Sequence, residues 1–180
     1  MLPSARPPHR GQPGAGAEHR LQMVQRAVAC QDFLVADDRE LRREGPSYMV
    51  DTLAELRQQF GQAALILIIG QDAANGLDRW HEWRRLFELA HIAVMRRPDS
   101  APDYSAELAE CMKERRVSRS EALQQTAFGC VIDVTVTQLE ISSTAIRDLI
   151  AAGRSPLYLT PPPVIEYIRE HGLYSAGPLA

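Results

Sequence analysis

Cysteine is scarce in this chain: Cys30, Cys111 and Cys130 are the only three among 180 residues. Odd in number, scattered and outside any Cys-x-x-Cys pair, they exclude a disulfide-stapled secreted scaffold and predict reduced thiols in a cytoplasmic protein. The five histidines lack the spacing of metal ligands, so no metal site built from protein side chains is expected. Charge of neither sign dominates: 20 Lys and Arg face 23 Asp and Glu, a net charge of −3. That balance provides no basic field for nucleic acid or an anionic membrane. The basic runs Arg42-Arg43 and residues 113–116 read as solvated helix faces. Long apolar runs are absent too, and the longest, residues 63–69, is far too short to cross a bilayer. The opening Met1-Leu2-Pro3-Ser4-Ala5-Arg6-Pro7-Pro8 has no apolar stretch, which excludes a secretory signal. Internal repeats are missing as well.

What is present is the composition of one globular domain, residues 1–180, with 45% hydrophobic and 24% charged residues. Short apolar runs of strand length occur at Phe33-Leu34-Val35, at residues 65–69 before Gly70, at 92–95 and at 131–136. Their apolarity is continuous rather than alternating, the pattern of strands covered on both faces in a parallel sheet. Amphipathic stretches separate them. Leu21, Val24 and Val28 share one helical face; Val50, Leu53, Leu56 and Phe60 share another; Trp83, Leu86, Phe87 and Ala90 a third. Ile146, Leu149 and Ile150 mark a helix closed by Gly153, and Val164, Ile165 and Ile168 one entered through prolines and ended by Gly172. Residues 99–126 carry charge and serine, with a helix expected around Leu108, Cys111 and Met112. Strand alternating with helix predicts an α/β, doubly wound, Rossmann-like parallel sheet.

In such sheets ligands bind beyond the carboxyl ends of the strands, which directs attention to four segments. In Arg6-Pro7-Pro8-His9-Arg10 two prolines stiffen a loop, and His9 and Arg10 are adjacent donors for phosphate oxygens. A plain solvated proline loop competes with that reading. In Pro46-Ser47-Tyr48-Met49-Val50-Asp51, Ser47 is placed to cap a helix and Asp51 suits its first turn; capping alone accounts for the segment. Gly70-Gln71-Asp72 directly follows the most apolar strand. There Gly70 permits close backbone approach, and Asp72 is suited to cap a helix or accept a ribose hydroxyl. Trp80 and Trp83, three apart, are either two core rings or one core ring and one stacking platform. The most specific segment is Ile141-Ser142-Ser143-Thr144-Ala145-Ile146-Arg147. Consecutive hydroxyl residues open a helix with an arginine in its first turn, so free N–H groups, hydroxyls, helix dipole and guanidinium converge. That is an anion site suited to a polyphosphate, since a simple cap needs only one of the hydroxyls.

Pro7-Pro8-His9-Arg10, Ser47-Tyr48 with Asp51-Thr52, Gly70-x-Asp72, Trp80-x-x-Trp83, Arg97-Pro98, the Ile-Ser-Ser-Thr-Ala-Ile-Arg run and the closing Tyr167-Ile168 and Leu173-Tyr174 resemble, in order, the bacterial nicotinate-nucleotide adenylyltransferases of the nucleotidyltransferase superfamily. The resemblance covers essentially the whole chain. It implies attack of the phosphate of nicotinate mononucleotide on the α-phosphorus of ATP, giving deamido-NAD and pyrophosphate, with Mg²⁺ accompanying ATP. It implies further that Ser142, Ser143, Thr144 and Arg147 hold the ATP phosphates, with Asp72 and Arg97 also on the ATP side. Trp80 would stack on the nicotinate ring, and backbone near Ser47, Tyr48 and Met49 would address its carboxylate. His9 and Arg10 would lie beside the phosphate path, His9 in support of catalysis.

Two departures qualify the likeness. The family usually has Thr where this chain has Met49, which leaves only a backbone contact to carry over. The family also opens with a strand, a Gly-x-Phe-Asp-Pro-x-His-x-Gly-His loop and a helix, and nothing similar occurs here. The resemblance therefore implies that the first, central strand and its helix, roughly 30 residues, are missing from the chain. Met1 as an internal methionine of a longer protein is the expectation; a truncated remnant, or a sheet completed by another chain, are the rivals. A non-catalytic nucleotide-binding remnant and a sister enzyme acting on nicotinamide mononucleotide are the alternative functions.

Overall fold

The computed structural model describes residues 14–96, 101–137, 139 and 141–175. In chain order its principal elements are helices α1 (Ala17–Val28), α2 (Arg39–Arg42) and α3 (Met49–Phe60), strand β1 (Ile66–Gly70), and helices α4 (Gln71–Asn75) and α5 (Trp83–Leu89). Then come β2 (His91–Arg96), α6 (Ala106–Glu114), the short β3 (Arg116–Val117), β4 (Val131–Thr135), α7 (Ser143–Ala151) and α8 (Pro162–Glu170). The chain groups into two compact units, Met1–Ser47 with Leu139–Ala180, and Tyr48–Gln138.

The Tyr48–Gln138 unit is built on a four-stranded sheet in the order β1-β2-β4-β3, with every pair parallel. Register places Leu67 beside Ile92 and Ile69 beside Val94, while Ile92 also pairs with Val131, so these side chains line one face. Val50 and Leu53 of α3, Leu86 and Phe87 of α5, and Leu108 and Met112 of α6 bury that face. The opposite face carries Ala93 and Ile132, covered by Leu123. Burial on both sides explains why β2 reads as a continuous apolar run; Ile92 and Val94 are fully buried. On β1 the second face stays open, with Ile66 45% and Ile68 65% exposed. The predicted strands at 65–69, 92–95 and 131–136 thus form, and so does the helix around Leu108. The run Phe33-Leu34-Val35 does not: it joins no strand, and Phe33 is 80% exposed. Outside any helix or strand, residues 33–35 follow the turn after α1.

Two polar anchors hold this unit together at the amino ends of its strands. The Arg57 guanidinium donates to the carbonyls of Gly61, Ala63, Leu89 and Ala127, which precede β1, β2 and β4. His91, fully buried, accepts from the Cys130 backbone N–H at Nδ1 (3.0 Å) and has Nε2 2.9 Å from the Thr126 carbonyl. With Nδ1 the acceptor, Nε2 carries the proton and donates.

In the other unit α1 packs along α8. Leu21 and Val28 meet a face that includes Val164, Tyr167 and Ile168, all buried. His19 Nδ1 lies 2.8 Å from the Tyr167 hydroxyl, and the Arg26 guanidinium sits 4.1 Å above the Tyr167 ring. Prolines in the first turn start α8, and Gly172, at φ +58°, ends it in the left-handed conformation that glycine adopts freely.

Candidate functional site

β1 ends at Gly70, and α4 begins at once, so Gln71 and Asp72 sit at the carboxyl end of the strand. Asp72 is exposed in the first turn of α4 and makes no capping bond; Gly70 occupies the cap position. Gln71 faces inward, 3% exposed. Its Nε2 donates to Asn75 Oδ1 (2.7 Å) and to the Tyr104 hydroxyl (3.0 Å), whereas its Oε1 is buried with no hydrogen-bond partner. A buried acceptor without a donor is uncommon and costly, and the sequence held no signal for this one.

At the start of α3 the helix cap is Tyr48, extended at ψ 134°, with no side-chain capping bond. Ser47 therefore does not cap α3, contrary to the sequence expectation; Tyr48 takes the half-helical position one residue later. Asp51 does fall in the first turn. The Tyr48 ring stacks on the ring of His81, centroids 4.3 Å apart and planes 29° from parallel. Tyr48, Met49 and Trp80 are each partly buried against the same core. Trp83, by contrast, is 8% exposed, edge-on to Phe87 at 6.2 Å. The turn between the two tryptophans is held by Glu82 in the left-handed conformation, φ 49° and ψ 41°. Its carboxylate meets Arg85 at 2.8 Å, and that hydrogen bond holds the Glu82 carboxyl below its ordinary range. Tyr48 and His81 are thus in ring contact, and their sequence neighbours Met49 and Trp80 pack against the same core. Sequence reasoning missed His81, although an aromatic-capable residue directly after Trp80 was a signal.

In the other unit, α7 opens at Ser143 as a hydroxyl-rich start, but Arg147 is its fifth residue and falls in the second turn, where the first was expected. Ser142 caps it, its hydroxyl accepting from the Ala145 N–H at 3.0 Å. Ser143 and Thr144 are exposed in the first turn, and Arg147 Nη2 lies 3.2 Å from Thr144 Oγ1. The guanidinium is therefore folded back over the helix start, beside N–H groups that the helix leaves unpaired. Burial pushes the Tyr174 hydroxyl above its ordinary value, opposed by the charges of Arg147 and Arg20.

Three anticipated residues, His9, Arg10 and Arg97, lie outside the described residues. The remaining ones are on partly or fully exposed turns. Cavities of about 460 Å³, beside Ile150, Arg154 and Arg169, and about 610 Å³, beside Phe87, Cys111 and Phe128, include none of them. Among the described residues no group of three or more His, Cys, Asp or Glu side chains is placed to hold a metal ion. No helix among them is long and apolar enough to cross a membrane.

The parallel sheet defines an α/β protein, and in the other unit a hydroxyl-rich helix start is followed closely by an arginine. Residues 1–149 match the cytidylyltransferase-like family, and the chain belongs to it. Within that family it groups with the nicotinate-nucleotide adenylyltransferases. It is 43% identical to a "Probable nicotinate-nucleotide adenylyltransferase" of Marinobacter nauticus, over 99% of this chain and 83% of that one. To the protein of the same name from Methylococcus capsulatus it is 46% identical, over 97% of this chain and 84% of that one. The fold is shared with the nicotinic acid mononucleotide adenylyltransferase of Plasmodium falciparum, complexed with NaAD. That likeness has a TM-score of 0.63 and 14% identity, and covers 96% of this chain and 80% of the other. A second structure of the Plasmodium enzyme, complexed with APC, has a TM-score of 0.58 and 15% identity, covering 89% of this chain and 76% of that one.

Proposed function

We propose that the protein transfers the adenylyl group of ATP to nicotinate mononucleotide in the cytoplasm, forming deamido-NAD and pyrophosphate. A phosphate oxygen of the mononucleotide attacks the α-phosphorus; the bond to the bridging oxygen breaks, and pyrophosphate leaves with that electron pair. No covalent enzyme intermediate is needed, so the protein's work is alignment of the reactants and stabilisation of charge on phosphoryl oxygens. ATP enters as its Mg²⁺ complex, the ion carried by phosphate oxygens and water.

The observation that carries this reading is identity of 43–46% to the named relatives along nearly the whole chain. The geometry of the α7 start agrees with it. Ser143, Thr144 and Arg147, with free N–H groups of the first turn, are offered to the ATP phosphates, and Ser142 shapes that turn as its cap. Asp72 and Arg97 serve the ATP side as well. On the acceptor side Trp80 offers a ring face to the pyridine, with backbone at Ser47, Tyr48 and Met49 for its carboxylate. His9 and Arg10 flank the phosphate path, His9 in support of catalysis. The test is purified protein with ATP, Mg²⁺ and either nicotinate or nicotinamide mononucleotide, the dinucleotide product separated by chromatography. Deamido-NAD formed in preference to NAD is the expected result. Preference for the nicotinamide substrate would reassign the protein to the sister activity, and absence of both products would make it a non-catalytic nucleotide binder.

A further inference from the structure

We infer that His81 is a positioning residue for the acceptor nucleotide, acting through its ring stack on Tyr48. The inference rests on the reading of Tyr48, Met49 and Trp80 as the acceptor's binding surface. Trp80 sits on a turn, its side chain partly buried against the core. Its backbone bonds are local, from Trp80 N–H to the Leu77 carbonyl at 3.0 Å and from Trp83 N–H to the Trp80 carbonyl at 3.2 Å. Arg79, His81 and Glu82 around it are exposed. Glu82 holds a left-handed backbone that a side chain other than glycine adopts only under constraint.

The Tyr48–His81 pair supplies a cross-link between this turn and the start of α3. At 4.3 Å between centroids the two rings are in van der Waals contact. The imidazole Nε2 is 3.7 Å from Glu82 Oε1, and Glu82 is in turn tied to Arg85. Tyr48, His81, Glu82 and Arg85 form a chain of contacts running from the cap of α3 to the first turn of α5. Trp80 is adjacent to one link, and the Tyr48–Met49 backbone belongs to another. Fixing the spacing between them pre-forms the surface that receives the pyridine ring and its carboxylate, so less ordering remains when the nucleotide binds. Because ordering of this kind affects ground state and transition state alike, its loss raises KM more than it lowers kcat.

The experiment compares His81→Ala, His81→Phe, Tyr48→Leu and the double variant His81→Ala/Tyr48→Leu with the wild-type protein. Steady-state kinetics for both substrates are paired with calorimetric binding of nicotinate mononucleotide. His81→Ala is expected to raise the KM for nicotinate mononucleotide roughly five- to tenfold, the worth of one aromatic pair, leaving the KM for ATP unchanged. His81→Phe keeps the stack and restores the wild-type KM. The double variant shows no further loss beyond the larger single effect, as expected of two residues acting as one unit. An unchanged KM in His81→Ala, in an active protein, overturns the positioning role alone. So does failure of His81→Phe to rescue, which would assign the effect to the imidazole N–H instead of the stack. A wild-type protein that neither binds nor turns over nicotinate mononucleotide overturns the acceptor reading and this role together.

Discussion

Arg57 makes the sharpest separation between stability and function. Its guanidinium directs five hydrogen bonds at four carbonyls: Leu89 twice, Gly61 and Ala63 at 2.7 Å each, and Ala127 at 2.8 Å. These carbonyls lead into β1, β2 and β4, at the end of the sheet opposite Gly70 and Asp72. The bonds to Gly61 and Ala63 are exposed, so water replaces them at little cost when the guanidinium is removed. Those to Leu89 and Ala127 are partly buried, and their carbonyls are left without a donor. At about 1–3 kcal/mol for each orphaned group, plus the packing lost over the Phe128 ring, Arg57→Ala should cost about 3–5 kcal/mol. Against a typical total of about 5–15 kcal/mol that is a large fraction. Arg57→Lys places one point charge where a planar fork reached four acceptors, and should lose about 2 kcal/mol. Urea unfolding followed by tryptophan fluorescence measures both, and kinetics on the folded fraction should show wild-type KM values for ATP and acceptor. A loss below about 1 kcal/mol for Arg57→Ala, or a raised KM with stability intact, would refute the assignment of Arg57 to structure.

Three further outcomes are expected. Arg147→Ala should weaken ATP binding by about 1.5–3 kcal/mol, the range for charge-assisted hydrogen bonds, and unchanged affinity by calorimetry would remove the phosphate role. Trp80→Ala should raise the KM for nicotinate mononucleotide with little change in Tm, whereas the buried Trp83→Ala should lower Tm and leave that KM alone; the reverse pattern would exchange their roles. The Arg39 hydrogen bond holds the Asp37 carboxyl below its ordinary 3.8, so this pair stabilises the fold above that pH and ceases to as pH falls through the lowered value. Arg39→Leu should therefore flatten the acid limb of a stability–pH curve, and identical acid limbs in both proteins would exclude the pair from acid unfolding.

The apolar pattern carried most of the secondary structure. Residues 92–95 are continuous because β2 is buried on both faces, and Leu108 and Met112 lie on one side of α6 because that side meets the sheet. Continuous apolarity is the direct imprint of two-sided burial, so it was legible. The run at residues 33–35 is apolar too but lies outside any strand, since three residues of sequence do not specify a pairing. Ser47 shows a similar limit. Its chemistry suits a cap, yet helix α3 is entered one residue later, where the Tyr48 ring is engaged by His81.

The sequence by itself determined the fold class and the character of the α7 start. Ser142 accepts from an N–H three residues on, and Arg147 reaches Thr144 three residues back, contacts that helix geometry alone sets. Local chemistry of that kind needs no long-range information. Tertiary structure alone decided which distant groups meet. The Leu89 and Ala127 carbonyls on Arg57, the His91 bridge to Cys130 and Thr126, and the Tyr48–His81 stack join residues far apart in the chain. Each depends on strand order and register, which set distances between side chains that periodicity leaves free.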